Sequence, residues 1–369
     1  MMVTLKKILN NKNKIVANLM NLVTLYKTTT GEIMPDEIIE DFHENSRSNP
    51  SKIRIYNNVK VWHQYSVIEK YNILSIHSFV NSWDLREHVK NKLFRNYLCI
   101  DIKGYACSID TPFSKNNYYH LFIESIPRLW FLRNSFFLDK IITLLLPYKR
   151  NEKLELLFKA FNKNIEIKYL PEFIRAKCEY YIELPFLSKS PDDFDLNSGA
   201  YFPESYRVWF KNHFGSILRA ELPKIKPFRK IYISRQDASV RKFTNDEEIS
   251  DVLLRRYDIE TVIPGKLSLN EQAELFHNSY FIISPHGAGL TNLIWCQNKG
   301  GALLEIFSSK LVSSYRGFEL HAKRLNFFYD SITLNGSTRN ENVVVNTDLL
   351  CEKIDVMLDK LDQNSQLNQ

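Results

Sequence analysis

The sequence predicts an α/β protein with a doubly wound, Rossmann-like domain in its second half and a further parallel sheet in its first half. Short apolar runs alternate with helix-like segments in both halves, as is typical of parallel strands joined by crossover helices. Residues 281–295 contribute an apolar run, a Gly-Ala-Gly turn and a helix-like segment in succession. That order either presents backbone N–H groups to an anion such as phosphate or only packs a helix on a sheet.

The composition of the 369-residue chain indicates a globular protein long enough for two domains. Hydrophobic residues make up 44% of it, and 49 basic against 42 acidic residues give a net charge of +7. A mild excess of basic residues that is spread along the chain favours an anionic ligand or an acidic membrane surface over a nucleic-acid partner. Five cysteines without a Cys-x-x-Cys pair, and no apolar run of membrane-spanning length, indicate a cytoplasmic protein with reduced thiols.

The first 28 residues predict an amphipathic helix. Lys6, Lys7, Lys12 and Lys14 alternate with apolar residues at helical spacing, without the continuous apolar core of a signal peptide. Such a helix either lies on an anionic membrane, as a peripheral contact with the inner membrane, or packs on its own domain. The sequence leaves both interpretations open.

Short strands are expected at 53–56, 59–62 and 65–68, because these runs are rich in β-branched and aromatic residues. Asn57 and Asn58 separate the first two runs. An Asn-Asn pair between two apolar runs predicts a hairpin turn.

A helix-like segment follows at 117–130 and places His120 and Glu124 four residues apart, hence on one helical face. The rest of this segment is apolar, so the polar pair either points into a cleft or bonds internally. A strand at 141–146, a helix at 152–161 and a strand at 165–169 come next. Their alternation predicts parallel strands in this half as well.

Residues 185–203 contain three prolines and a cluster of acidic side chains, and they predict an interdomain linker or long loop. Asp192, Asp193 and Asp195 resemble a metal-binding acidic motif. The run lacks an adjoining apolar strand to position such a motif, so a solvated loop is the favoured interpretation. We therefore expect no metal site here.

The second half alternates more regularly. Strands are expected at 230–234, 260–264, 281–284 and 302–307, and helices at 245–256, 268–277, 315–325 and 347–361. Asn245 with Glu248, and Ser268 with Glu271, match the capping box that begins a helix. Repeated β-α units with short connections predict the doubly wound domain.

Several side chains lie at the ends of these predicted strands, where open parallel sheets bind ligands. Arg235 and Arg241 follow the first strand, His286 follows the third, and Glu305 lies at the end of the fourth. Arginines bind phosphate oxygens, and a nearby carboxylate commonly holds ribose hydroxyls. Each residue alone could be a surface arginine, a core histidine or a salt-bridged glutamate. Together they predict a nucleotide-diphosphate site.

Residues 116–307 contain an ordered series of motifs. Its members are Asn117, Tyr118, Tyr119, His120, Glu124, Pro127 and Arg128; Ile233, Ser234, Arg235, Arg241, Asn245, Glu247 and Glu248; Leu267, Ser268, Glu271 and Gln272; and Pro285 to Asn292 with Glu305. This series resembles glycosyltransferase family 61, which groups bacterial capsular-polysaccharide enzymes with eukaryotic O-linked GlcNAc- and xylosyl-transferases. Gly265-Lys266 departs from the proline-acid pair expected before Leu267.

The resemblance implies a GT-B architecture, two Rossmann-like domains facing a central cleft. Taken together with the element pattern of the whole chain, it predicts an N-terminal helix (1–28), an acceptor-side α/β domain (29–200), a nucleotide-sugar-binding domain (201–340) and a C-terminal helix with a polar tail (341–369). It also implies inverting transfer, in which an acceptor hydroxyl displaces the nucleoside diphosphate in one step. That chemistry needs a base and positive charge around the diphosphate.

Roles for individual residues follow from this resemblance. Glu124 or His120 is the expected base, with one of the two orienting the other. Asn117 and Arg128 are expected on the acceptor side. The expected contacts to the donor are Arg235, Arg241, Asn245, His286, Gly287, Ala288, Gly289, Leu290, Thr291, Asn292 and Glu305. No metal is expected. No other cofactor is expected either, because the nucleotide-sugar is a co-substrate.

The function implied is transfer of a hexose, N-acetylhexosamine or pentose to a saccharide or lipid-linked saccharide in bacterial capsule or surface-polysaccharide synthesis. Only 11 glycines and heavy use of Asn, Lys, Ile and Tyr fit an AT-rich bacterial genome. Two alternatives stay open. One is another nucleotide-dependent cell-envelope transferase, moving a phosphoryl or pyruvyl group, and the other is a non-catalytic nucleotide-binding subunit with the same fold.

Overall fold

The computed structural model describes residues 37–39, 53–62, 67–70, 73–76, 98–110, 114–115, 117–171, 174–185, 187, 204–310, 313, 317–338 and 340–367. These residues form two α/β sheets, as predicted. The expected helix over 1–28, and most of the expected linker with Asp192, Asp193 and Asp195, lie outside the described residues. The predicted boundaries between the N-terminal helix, the two α/β domains and the C-terminal segment also stay predictions.

The first sheet combines parallel and antiparallel strands. Its members are β1 (Glu37–Ile39), β2 (Ile53–Trp62), β3 (Val67–Lys70), β4 (Ile73–Ile76), β5 (Leu98–Ser108), β6 (Ile142–Leu146), β7 (Ile165–Tyr169) and β8 (Ile174–Glu183). The order is β4-β3-β2-β8-β5-β6-β7, with β1 beside β2. Strands β8, β5, β6 and β7 run parallel, and β2 pairs antiparallel with β8.

The prediction of a hairpin at Asn57-Asn58 is wrong, because β2 runs through these residues without a break. Asn57 pairs with Tyr180 and Val59 with Cys178, so the ladder to β8 continues on both sides of Asn58. Asn58 alone takes a left-handed conformation, with φ of 53°. Asparagine tolerates this conformation better than most residues, so its presence did not require a turn.

The β-α-β unit of the first half is confirmed. Helix α1 spans Glu152–Phe161 between β6 and β7, and Asn151 begins it by accepting a hydrogen bond from the N–H of Lys153. The helix-like segment before β6 is also confirmed, but it is irregular. A single wide turn, His120–Ser125, with five-residue hydrogen-bond spacing, leads into a narrow 3₁₀ helix, Ile126–Arg133.

An aromatic core joins the two halves through helix α2 (Glu204–Leu218), which the sequence analysis did not predict. Phe210 of α2 has its ring centroid 6.1 Å from that of Phe122 in the first half and 5.4 Å from that of Trp295 in the second. Phe214, one turn later, lies 5.9 Å and 5.7 Å from the same two rings. All four side chains are fully or almost fully buried.

The second sheet is entirely parallel, as predicted. It contains β9 (Arg229–Ile233), β10 (Glu260–Val262), β11 (Ser279–Pro285), β12 (Gly301–Phe307) and β13 (Phe327–Thr333), with helices α3 (Asp246–Tyr257), α4 (Leu269–His277), α5 (Gly317–Arg324) and α6 (Thr347–Leu367). The order is β10-β9-β11-β12-β13. The connection from β9 leads to β10 on one side, and the connection from β10 leads to β11 on the other side of β9. A crevice therefore forms between the carboxyl ends of β9 and β11.

The two predicted capping boxes have different outcomes. Ser268 and Glu271 form the reciprocal pair at the start of α4, as predicted. Asn245 makes no such cap at α3. Its amide instead exchanges two hydrogen bonds with the backbone of Val345, at 3.0 Å and 2.9 Å, because that distant segment passes beside it. No helix within the described residues is long and apolar enough to span a membrane.

Candidate active site

A cavity of about 290 Å³ opens at the crevice between β9 and β11. Its walls come from the loops that follow β9, β10 and β11, at the carboxyl ends of the strands. Tyr118, from the first half of the chain, also contributes to the wall. This is the position at which an open parallel sheet binds its ligand.

Arg235 lies at the wall of this cavity, directly after β9. A Cβ added to Gly287 would overlap Nη1 of Arg235, so the guanidinium rests against the glycine backbone. Nη2 donates to the carbonyl of Val240 at 3.3 Å, and the buried Nε has no partner among the described residues. The site therefore holds a cation with unused hydrogen-bonding capacity.

A second guanidinium, that of Arg241, lies near the first. Burial lowers the pKa of Arg235, and the charge of Arg241 lowers it further, whereas Asp237 opposes both effects. An arginine stays charged even so, because its intrinsic pKa is far above neutral. Two neighbouring cations repel each other, and a bound anion such as a diphosphate would relieve that repulsion.

The loop that carries Arg235 is fixed by a buried carboxylate. Asp246, at the start of α3, accepts hydrogen bonds from the hydroxyls of Tyr232 and Ser234 and from the side-chain amide of Gln236. The first of these donors lies on β9 and the other two follow it. Sequence reasoning did not single out Asp246, because its role depends on contacts 10 to 14 residues away.

The Gly287–Gly289 turn allows close approach, but not through positive φ. Gly287 has φ of 166°, which is extended backbone, and the segment Ala288–Trp295 that follows is a 3₁₀ helix. Leu290 and Thr291 are buried in it. Asn292 is also buried, accepts a hydrogen bond from the hydroxyl of Tyr118 at 3.2 Å and donates to Gln272 at 2.9 Å.

His286 and Glu305 form a pair behind the turn, in which the carboxylate is buried and the imidazole is partly exposed. Nδ1 of His286 lies 2.6 Å from Oε1 of Glu305, and the hydroxyl of Tyr329 donates to Oε2 at 2.8 Å. Glu305 has no exposed surface. Both carboxylate oxygens are thus engaged, which argues against the expected contact between Glu305 and ribose hydroxyls. Its contact with His286 indicates that it positions the imidazole.

A second histidine–glutamate pair lies in the first half. Nδ1 of His120 is 2.8 Å from Oε2 of Glu124. The Glu124 side chain is only 4% exposed, whereas that of His120 is 22% exposed. The expected pairing of these residues is therefore present, with the carboxylate buried and the imidazole partly exposed. Burial, with a smaller contribution from the Glu124 charge, raises the pKa of Tyr119.

Phe318 of α5 packs between the two pairs. Its ring centroid lies 5.4 Å from that of Tyr119, whose own ring is 5.4 Å from the imidazole of His120. On the other side the same phenylalanine lies 5.7 Å from the ring of His286. The two halves of the chain thus bring their histidine–glutamate pairs to one shared aromatic contact.

The remaining expected site residues lie at varied positions. Asn117 is exposed and caps the helical segment by accepting from the N–H of Tyr119 at 3.0 Å. Arg128 is completely buried and donates to the carbonyls of Leu184 and Ile109, which argues against contact with an acceptor. Asn245 bonds to the backbone of Val345, as described above.

Gly265, the first residue of the pair Gly265-Lys266 that replaces the expected proline-acid pair, lies in the cavity wall. A Cβ added to this glycine would overlap Oδ2 of Asp237. A carboxylate from the loop after β9 therefore lies against Gly265. Sequence reasoning did not identify Asp237, because only the fold brings residues 237 and 265 together.

In the part of the chain that the structure describes, no group of three or more His, Cys, Asp or Glu side chains is arranged to hold a metal ion. Arg235 supplies the positive charge in the cavity wall, and the charge of Arg241 acts on it from nearby.

Comparison with known proteins bears on this arrangement. A search of curated proteins finds no significant match. The family model for glycosyltransferase 61 matches residues 118–303, which is half of the chain and includes His120, Glu124, Arg235 and His286. Two α/β sheets joined in this way are consistent with the GT-B arrangement of two Rossmann-like domains. The chain belongs to glycosyltransferase family 61 and is a glycosyltransferase.

Proposed function

We propose that this glycosyltransferase moves a sugar from a nucleotide-sugar to a saccharide hydroxyl with inversion at the anomeric carbon. The observation that carries the proposal is the arrangement of two complementary groups in the family-matched region. An unsatisfied arginine lies in a cavity at the carboxyl ends of β9 and β11. A histidine–glutamate pair reaches the same part of the molecule through Tyr119 and Phe318.

The donor would bind with its diphosphate at Arg235 and Arg241. Departure of the diphosphate increases the negative charge on its terminal oxygen in the transition state. Fixed cations stabilise that charge more strongly in a partly buried cavity than they would in water. Burial of Arg235 and the contact with Gly287 support this role, since both restrict the guanidinium to one place.

The acceptor would be activated by His120. Glu124 is bonded to Nδ1 of this histidine, so Nε2 would accept the proton of the acceptor hydroxyl. The hydroxyl oxygen forms the new bond to the anomeric carbon as the bond to the diphosphate oxygen breaks, and the leaving group departs with that electron pair. The buried carboxylate holds the tautomer and stabilises the imidazolium that forms. In this mechanism His120 is the base, and Glu124 is the residue that positions it.

The biological setting is the synthesis of a bacterial capsule or another surface polysaccharide, on a saccharide or lipid-linked acceptor at the cytoplasmic side of the inner membrane. The resemblance of the motif series to capsule enzymes and the net charge of +7 support this setting.

A thermal-shift screen against UDP, GDP, CMP and their common sugars, with and without EDTA, tests the donor half of the proposal. Ligands that bind only the folded state raise its Tm. One nucleotide should raise Tm in the presence of EDTA, and Arg235→Ala should abolish the shift. Arg255→Ala is the matched control, because Arg255 is exposed on α3 and pairs only with Asp251 in the described part of the chain. No shift with any nucleotide would contradict the proposal.

A further inference from the structure

We infer that Asp237 is a second donor-binding side chain, whose carboxylate accepts hydrogen bonds from a pair of hydroxyls next to the donor phosphate. This inference rests on the proposed function and adds to it. Asp237 and Arg235 lie two residues apart in the loop after β9, and both line the cavity. The sequence analysis assigned the hydroxyl-binding role to Glu305, whose oxygens are taken by His286 and Tyr329.

Most other polar side chains in the cavity wall already have partners. Gln272, Asn292 and Tyr118 bond to one another. Ser234 donates to Asp246 at 2.8 Å, and Ser284 donates to the carbonyl of Pro285 at 2.8 Å. Within the described residues, Arg235 and Asp237 are the lining side chains left with charged groups available to a ligand.

The Asp237 carboxylate is close to Arg235 without being consumed by it. Its charge acts on the guanidinium, raising the pKa of Arg235 against the effect of burial. No ion pair within 4.0 Å joins the two among the described residues, and no hydrogen bond to the carboxylate is formed there. A cation and an anion are thus held apart on one wall, as a ligand with both an acidic and a hydroxylic part requires.

Gly265 provides the room for this arrangement. A side chain at position 265 would overlap Oδ2 of Asp237, so the glycine lets the carboxylate lie against the backbone of the neighbouring loop. The backbone of Gly265 does not have positive φ, so the glycine is not required for its conformation. Space for Asp237 is the function that the structure assigns to this residue.

A ligand that fits both groups carries a phosphate with two hydroxyls a few bonds away. A nucleotide-sugar offers such a pair twice, in the ribose and in the transferred sugar. An ionised carboxylate has two oxygens and accepts both hydroxyl hydrogens at once. The shared chemistry is a diol beside a phosphate, and the experiment separates its two sources.

The test measures dissociation constants by calorimetry for the nucleoside diphosphate that binds, for its 2′-deoxy and 3′-deoxy forms, and for its nucleotide-sugar. Asp237→Asn keeps the size of the side chain but removes one acceptor and the charge. If the ribose is the source, the wild type should bind the ribonucleotide about tenfold more tightly than the deoxy forms, and Asp237→Asn should remove the difference. If the transferred sugar is the source, Asp237→Asn should bind the nucleotide-sugar about tenfold more weakly than the wild type does, and its affinity for the nucleoside diphosphate should not change.

Two further variants make the result decisive. Gly265→Ala should reproduce the loss seen in Asp237→Asn, because its methyl group would displace the carboxylate. Asp251→Asn, at an exposed site on α3, should bind every ligand as the wild type does. Wild-type affinities for all ligands in Asp237→Asn would overturn the inference and leave the proposed function standing. No binding of any nucleotide by the wild type would overturn both.

Discussion

Nδ1 of His120 lies 2.8 Å from Oε2 of Glu124, across a single wide helical turn. The N–H of Ile126 closes this turn on the carbonyl of Leu121, five residues back. Turns of this kind are rare and occur often at functional sites. Here the turn leaves the carboxylate buried and the imidazole at the surface, which is the arrangement a general base needs.

The first prediction concerns this pair. His120→Ala should lower kcat by about 10² to 10⁴ while nucleotide affinity stays within about twofold, because a base acts on the acceptor and not on the donor. Glu124→Gln should lower kcat less, since the imidazole remains. Steady-state kinetics with calorimetry on the same preparations measure both quantities. Equal kcat values in wild type and His120→Ala would exclude the assigned role.

The second prediction concerns the His286–Glu305 pair. Glu305→Gln removes a charge-assisted hydrogen bond worth roughly 1.5–3 kcal/mol. The donor KM should therefore rise about 10- to 100-fold, as His286 loses its fixed orientation. Tyr329→Phe, which removes only the neutral donor to Oε2, should cause a much smaller rise. Similar KM values in Glu305→Gln and wild type would show that the pair has no part in donor binding.

The third prediction compares two glycines. The Cβ of Gly287→Ala would overlap the guanidinium of Arg235 and displace it without meeting any backbone atom at that distance, so the variant should fold normally and bind nucleotide weakly. In Gly301→Ala the Cβ would overlap the backbone carbonyl of Tyr280 and lie 2.9 Å from the ring of Phe327. That variant should lose roughly 1–3 kcal/mol of stability through overpacking. Urea unfolding and nucleotide titration distinguish the two effects, and a destabilised Gly287→Ala with normal affinity would contradict this explanation.

The fourth prediction concerns pH and stability. Burial, with the nearby charges of Arg324 and Arg207, lowers the pKa of His321 to about 3. Below pH of about 6.5 an unfolded histidine binds a proton that the folded protein does not, so the free energy of unfolding should fall as pH falls toward 3. One such group contributes a slope of at most about 1.4 kcal/mol per pH unit.

His321→Gln should therefore flatten the dependence of unfolding free energy on pH between about 6 and 4. His213→Gln is the control, because His213 is exposed on α2. Urea unfolding at several pH values provides the measurement. Parallel curves for His321→Gln and wild type would show that His321 does not resist protonation in the folded state.

The central strands β11 and β12 of the second half were predictable because they are buried on both faces. All seven residues of β12 are buried, so it forms a continuous apolar run in the sequence. Strand β5 was missed because its first half is largely exposed and its residues do not alternate regularly. The edge strand β13 was missed because most of its side chains are only half-buried.

The candidate site was predictable where its partners are close in sequence or follow a recognisable motif. His120 and Glu124 are four residues apart, so helical spacing alone pairs them. The partners of Asn245 and of Glu305 could not be predicted in the same way. Val345 lies 100 residues from Asn245, and Tyr329 lies 24 residues from Glu305. Only folding brings the members of each pair together.

Release of nucleoside diphosphate from a panel of nucleotide-sugars, with a saccharide acceptor and EDTA present, is the direct readout of sugar transfer. Wild-type protein should release the diphosphate from at least one donor. His120→Ala should bind that donor with near wild-type affinity and release almost none, and Arg235→Ala should fail to bind it. No release from any donor by the wild type, or equal release by His120→Ala, would contradict the account of sugar transfer given above.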